Sequence, residues 1–141
     1  MKILATDIDR AVLATAEAGV YSEEQLEGVN GDLRRRFFEP AGGDRPRWRI
    51  NEAVRRLVTF RQLNLIENWP MHGQFQAIFC RNVVIYFDEP TQQDIWRKFV
   101  PRLTPDGALY IGHSERVTGP AAEHVHSDGV STYRLLGDRK K

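Results

Sequence analysis

The stretch "AIFCRNVVIYFDEPTQ", Ala77 to Gln92, decides how this chain is read. Its apolar residues predict a buried strand from Ala77 to Phe87, ended by the acidic, proline-marked corner Asp88-Glu89-Pro90. Arg81 and Asn82 interrupt that run. A strand devoted wholly to a core has no use for them, because burying an unpartnered guanidinium costs several kcal/mol. Either the strand ends at this step and the two residues line a cleft, or they are paired internally.

Working outward, Thr91 to Leu103 reads as an amphipathic helix with Ile95, Phe99 and Leu103 on one face, broadened by Trp96 and Val100. "TPDG" then predicts a turn, "ALYIGH" a short buried strand and "STYRLLG" a last strand, before a charged tail, 137–141, that is expected to fray at "DRKK". Upstream, Leu57 to Leu65 and Ile3 to Thr6 predict two more strands of the main sheet. The latter feeds a helix with Asp9 as N-cap and Gly19 in the left-handed position after its last turn. Ser22 to Arg36 is a further helical pattern, with a capping start at Ser22 and Gln25. Around the Pro- and Gly-rich corner of "FFEPAGGDRPRWRI", Phe37-Phe38 and Trp48-Arg49-Ile50 predict a hairpin, a small inserted sheet. Apolar strands alternating with helices make an α/β layer architecture with a mainly parallel sheet.

At 141 residues and 41% hydrophobic, the chain is expected to form one domain, 1–141, with a real core. Its 20 Lys and Arg against 19 Asp and Glu leave no global field to draw it to nucleic acid or an acidic membrane. The clusters "LRRRFF" and "RPRWR" combine arginines with aromatics, but at this net charge a solvated hairpin or a peptide site fits them better. The single cysteine, Cys80, gives neither a disulfide framework nor a CxxC metal pair and reads as a core residue. No apolar run approaches the roughly 18 residues of a membrane span, and no signal peptide is evident, so the expected location is cytoplasmic.

In an open parallel sheet, ligands bind beyond the carboxyl ends of the strands. The polar residues at those ends are Asp7, Asn64, Arg81-Asn82 and His113-Ser114-Glu115. Asp7, closing a strand just before a helix, suits the vicinal hydroxyls of a ribose or else a turn-forming role. Asn64 suits a ligand's base or a turn. "GHSE" is not a catalytic triad, because adjacent Ser and His cannot face each other in the geometry required, and no G-x-S-x-G elbow is present. His72, His113, His124 and His126 lack metal-ligand spacing beyond one weak His-x-His pair, so no metal is expected.

"ATDID", "LNL", "FCRNVVIYFD", "FVPRLTPDGALYIGHSE" and "TYRL", in that order and spacing, resemble the C-terminal, S-adenosylmethionine-binding region of the chemotaxis receptor methyltransferases, the CheR family, over roughly Ile3 to Leu135. The resemblance implies a Rossmann-like methyltransferase sheet with a small inserted antiparallel β-subdomain, about 36–50. It implies that S-adenosyl-L-methionine is the cofactor and S-adenosyl-L-homocysteine the product. By the same resemblance, Asp7 holds the ribose, Asn64 and Leu65 lie against the adenine, Arg81 and Asn82 line the cofactor cleft, and Tyr86 orients the methyl donor near its sulfonium. The implied substrates are glutamates on the cytoplasmic helices of chemoreceptors. Arg45, Arg47 and Arg49 of the inserted sheet are implied to meet the acidic groups of a receptor C-terminal peptide added as an extra strand.

Members of that family carry, before the segment matching Met1, a helical domain and a first sheet strand with a glycine-bearing turn. The sheet here is therefore expected to lack its first strand, between those corresponding to Ile3–Thr6 and Ala77–Ile85. Two consequences are expected: little activity and weak cofactor binding by this chain alone, and self-association through the incomplete sheet. The competing reading is a non-catalytic module that recognises a receptor tail or signalling partner.

Overall fold

A computed structural model describes residues 1–137. The fraying expected of "DRKK", residues 138–141, lies outside the described residues. The chain forms two compact units, one of residues 1–65 and one from residue 66 onward.

The first unit opens with β1 (Ile3–Asp7) and α1 (Arg10–Ala18). Asp9 caps α1 by accepting the N–H groups of Ala11 (2.8 Å) and Val12 (3.4 Å), and Gly19 ends it at φ 66°, donating to Thr15 O. Both caps are local, which is why their residue types predict them. The path then makes a detour through β2 (Val20–Ser22), a 3-10 turn (Glu24–Leu26), α2 (Gly31–Phe37), β3 (Phe38–Pro40), β4 (Arg47–Ile50) and α3 (Glu52–Arg55). It returns in β5 (Val58–Gln62), parallel to β1 from Ile3↔Val58 to Asp7↔Gln62.

The continuous helix expected from Ser22 to Arg36 is broken. Ser22 and Gln25 do form the reciprocal capping box, at 2.8 and 3.3 Å, but the helix restarts where Asn30 accepts the Asp32 N–H at 2.8 Å. Asn30 offers its own N-cap, and α2 is a separate element. The inserted sheet is antiparallel in the order β2-β4-β3, so it begins at Val20 and gains a strand beyond the expected hairpin. Trp48, on its central strand, donates its indole N–H to Glu23 (2.6 Å), and Arg34 donates to both Glu23 oxygens (3.0 Å each). The two donors hold the Glu23 carboxyl below its ordinary range, the Trp48 bond contributing most.

The second unit contains β6 (Phe75–Cys80), α4 (Glu89–Phe99), β7 (Leu103–Ile111), β8 (Val125–Ser127) and β9 (Thr132–Leu135), with sheet order β6-β7-β9-β8. Only β6–β7 is parallel. The expectation of one mainly parallel sheet is therefore corrected: parallel pairs occur in two separate ladders, and the other pairings are antiparallel. The strand expected from Ala77 to Phe87 stops at Cys80, and Val84–Tyr86 form a 3-10 turn. Helix α4 starts two residues earlier than expected and gives way to a 3-10 turn at Val100–Arg102, where Pro101 has no N–H to continue it. "TPDG" is not a free turn but a bulge within β7, where the register jumps from Phe75↔Leu103 to Ala77↔Ala108. Val84, Ile95, Trp96, Leu103, Leu109 and Ile111 are fully buried and form the core of this unit.

Candidate functional site

Asp7, Asn64 and Leu65 belong to the first unit; Arg81, Asn82 and Tyr86 belong to the second. Parallel pairing brings the first group together, because β1 and β5 end side by side at Asp7↔Gln62 and the Leu63 N–H donates to Asp7 O at 3.0 Å. Asp7 is half-buried, and its Oδ1 accepts the Asp9 N–H at 2.9 Å, so it also serves as the turn residue that starts α1. Gln62 ties this end closed, accepting from Arg10 Nε (2.9 Å) and donating to Ile8 O (3.0 Å). Asn64 and Leu65 follow, half-buried, on the chain leaving β5. A carboxylate at a strand end ahead of a capped helix is an acceptor that suits the two hydroxyl donors of a ribose diol.

The second group lies on one turn. Because β6 ends at Cys80, Arg81 and Asn82 leave the strand and are exposed. Of the two readings of that step, the strand ends there, and no internal burial of the guanidinium arises. Asn82 adopts φ 60°, a left-handed conformation that asparagine tolerates better than most residues. Val84, fully buried, anchors the 3-10 turn, while Tyr86 is 79% exposed and presents its ring to solvent.

The turn is held from across the ladder. Cys80 pairs with Ile111, so the loops that follow β6 and β7 emerge together, and the second loop is Gly112-His113-Ser114-Glu115. Glu115 is 3% exposed. Its Oε1 accepts the N–H groups of Asn82 (3.0 Å) and Gly112 (2.7 Å). Its Oε2 accepts those of Val83 (3.2 Å), Val84 (2.8 Å) and Ile85 (3.1 Å). Burial first, and the nearby Glu115 charge second, push the Cys80 thiol up to about 12. From the sequence Glu115 stands among the polar residues at the strand ends and in the "GHSE" motif, with no role assigned to it; its work depends on the β6–β7 ladder.

Arg45, Arg47 and Arg49 line one groove of about 640 Å³ beside the inserted sheet, with Gly42 and Gly43. Arg47 and Arg49 are alternate residues of β4 and so share a face, opposite Trp48. Among the described residues no helix is long and apolar enough to cross a membrane, and no group of three or more His, Cys, Asp or Glu is placed to hold a metal.

Residues 1–132 match the family model described as CheR methyltransferase, SAM binding domain. A probable chemotaxis protein methyltransferase of Rhizobium etli is 51% identical over 134 residues, covering 94% of this chain and 50% of that protein. Chemotaxis protein methyltransferase 2 of Pseudomonas aeruginosa is 44% identical over 135 residues, covering 94% of this chain and 48% of that protein. The Escherichia coli chemotaxis protein methyltransferase is 45% identical over 116 residues, covering 81% and 41%. The structure of PKMT2 from Rickettsia typhi in complex with AdoHcy aligns at TM-score 0.48 and 14% identity, over 78% of this chain and 16% of that one. The chain spans about half the length of the curated relatives it matches. The cofactor of the matched domain is S-adenosyl-L-methionine. With the family model covering nearly its whole length, this chain belongs to the CheR methyltransferase SAM-binding domain family.

Proposed function

We propose that this chain is the cofactor-binding portion of an S-adenosylmethionine-dependent protein-glutamate O-methyltransferase that acts in the cytoplasm on chemoreceptor helices, with little activity of its own. Both units are read as parts of one catalytic domain, of Rossmann-like type. The observation that carries the reading is the pairing of a family match over residues 1–132 with a half-buried Asp7 at the carboxyl end of a parallel strand, directly before a capped helix. Asp7 would hold the ribose, Asn64 and Leu65 the adenine, and Arg81 and Asn82 the cleft wall, with Tyr86 orienting the methyl donor. S-adenosyl-L-methionine supplies an electrophilic methyl group, and a glutamate carboxylate, ionised near pH 7, takes it with no proton to remove and no need of a general base.

An NMR titration with S-adenosyl-L-homocysteine tests the assignment. The backbone amides of Asp7, Asn64 and Leu65 in the first unit, and those of Arg81, Asn82 and Tyr86 in the second, are each expected to shift. No shift at millimolar ligand, or shifts confined elsewhere, would refute it.

A second role is favoured by the groove of Arg45, Arg47 and Arg49: capture of an acidic receptor C-terminal peptide. Substituting the three by Ala should abolish binding of such a peptide while leaving the cofactor shifts intact. If binding persists, the groove is not the docking site. We also infer homo-association. Among the described residues β1 pairs only with β5, and β6 only with β7, so each has one edge without a ladder partner. Light scattering that gives a monomer at high concentration would refute it.

A further inference from the structure

We propose that Glu115 is the positioning residue for the 81–86 turn: its carboxylate fills a ring of backbone N–H groups and so sets the conformation in which Arg81, Asn82 and Tyr86 are presented. The functional half of this proposal rests on the cofactor reading above.

A buried carboxylate is costly unless paired. Among the described residues no Lys, Arg or His forms an ion pair with Glu115. Its partners are instead the N–H groups of Asn82, Val83, Val84, Ile85 and Gly112, all within 3.2 Å. Four successive N–H groups turned toward one point form a concavity of the kind that binds anions, and here a side chain of the protein supplies the anion. The bridge spans loops about thirty residues apart in sequence, which the parallel register Cys80↔Ile111 sets side by side. The Glu115 N–H closes its own loop by donating to Gly112 O at 3.1 Å, aiming the carboxylate back at the ring. Gly112 leaves the space: a Cβ there would fall on Asn82 Oδ1 and sit 2.8 Å from the Asn82 nitrogen.

The chemistry requires an acid. Every partner is a donor, and both oxygens are used. Glutamine keeps the shape but replaces one acceptor by an NH2 group, setting donor against donor. The turn would then lose the bonds that hold Asn82 at its left-handed φ, and the side chains at 81, 82 and 86 would lose their fixed presentation without touching any of them directly.

The test is Glu115→Gln in the isotope-labelled chain, read by amide exchange and by titration with S-adenosyl-L-homocysteine. Losing one or two charge-assisted bonds should speed exchange at residues 82–85 and 112 by about 10–100-fold, while the amides of α4 keep wild-type protection. The dissociation constant for S-adenosyl-L-homocysteine should rise at least about tenfold. Unchanged exchange at 82–85, or an unchanged dissociation constant, would overturn the proposal. Loss of protection throughout the unit would mean a merely structural role and would overturn it too. Should the variant fail to fold, couplings across the hydrogen bonds from the Glu115 carboxyl carbon to the five amide nitrogens decide the matter in the unaltered chain, and their absence refutes it. If the unaltered chain binds no S-adenosyl-L-homocysteine, the cofactor reading and the functional half fall together, whereas exchange still decides whether Glu115 holds the turn.

Discussion

Replacing Gly112 with Ala should destabilise the protein sharply, although Ala is the smallest side chain that can be added. The new Cβ would lie 2.8 Å from the Asn82 nitrogen and 2.9 Å from Glu115 Oε1, and would overlap Asn82 Oδ1. Ordinary carbon contacts are at roughly 3.5 Å or more, so the loop or the turn must move. Overpacking of this kind costs about 1–3 kcal/mol. The movement stretches at least one charge-assisted bond to Glu115, about 1.5–3 kcal/mol more. Restriction of the unfolded chain returns about 0.4–1 kcal/mol. The net loss is about 2–5 kcal/mol, a large part of the ~5–15 kcal/mol that holds a typical domain together. At roughly 4 °C per kcal/mol, Tm should fall by roughly 8–20 °C. Gly73→Ala, in the same unit and with nothing within 4 Å of the added Cβ, is the control and should stay within about 1 kcal/mol of the parent. Thermal melts of the two variants decide it. Equal melting temperatures would refute the claim that the two loops are locked together at Gly112.

Because the Cys80 thiol is pushed up to about 12, alkylation by iodoacetamide at pH 8 should be slow in the folded chain and fast in urea; equal rates would count against its burial. The same shift has a sign for stability: above about pH 9 the unfolded thiol releases its proton before the folded one, so stability should fall as pH rises from about 9 to 12, and Cys80→Ala should flatten that limb in a denaturant series. Asp88 caps α4, and hydrogen bonds from the Thr91 hydroxyl and N–H hold its carboxyl below the ordinary value. Its contribution is present above about pH 4 and lost as pH falls through the lowered value, so Asp88→Asn should weaken the acid dependence of the helical circular dichroism, and an unaltered acid limb would refute this. Ile95→Ala, at a fully buried position on α4, should cost about 2–5 kcal/mol in urea unfolding; a loss below 1 would show a core able to collapse around the gap.

The parts of this fold that are governed by neighbours in the chain were legible before any coordinates. Asp9 and Gly19 bracket α1, and Ser22 with Gln25 form their box, because caps are satisfied by residues two to four positions away. Periodicity was a poorer guide wherever an apolar run was short. Val84, Ile85 and Tyr86 look like the continuation of a strand, but an apolar triplet serves equally well as a 3-10 turn anchored by one buried side chain. The three-residue strands β2 and β8 carry no pattern long enough to detect.

The residue types of the candidate site, Asp7, Asn64, Arg81, Asn82 and Tyr86, could be read directly from the order and spacing of their motifs, as could the α/β class. Family resemblance is written in such local strings. Tertiary structure alone decided that the chain leaves β6 at Cys80 and that a glutamate 33 residues beyond Asn82 holds the turn. The physical reason is that a backbone N–H carries no mark of its partner: which carboxylate it meets is fixed only when the β6–β7 ladder brings two distant loops to the same edge.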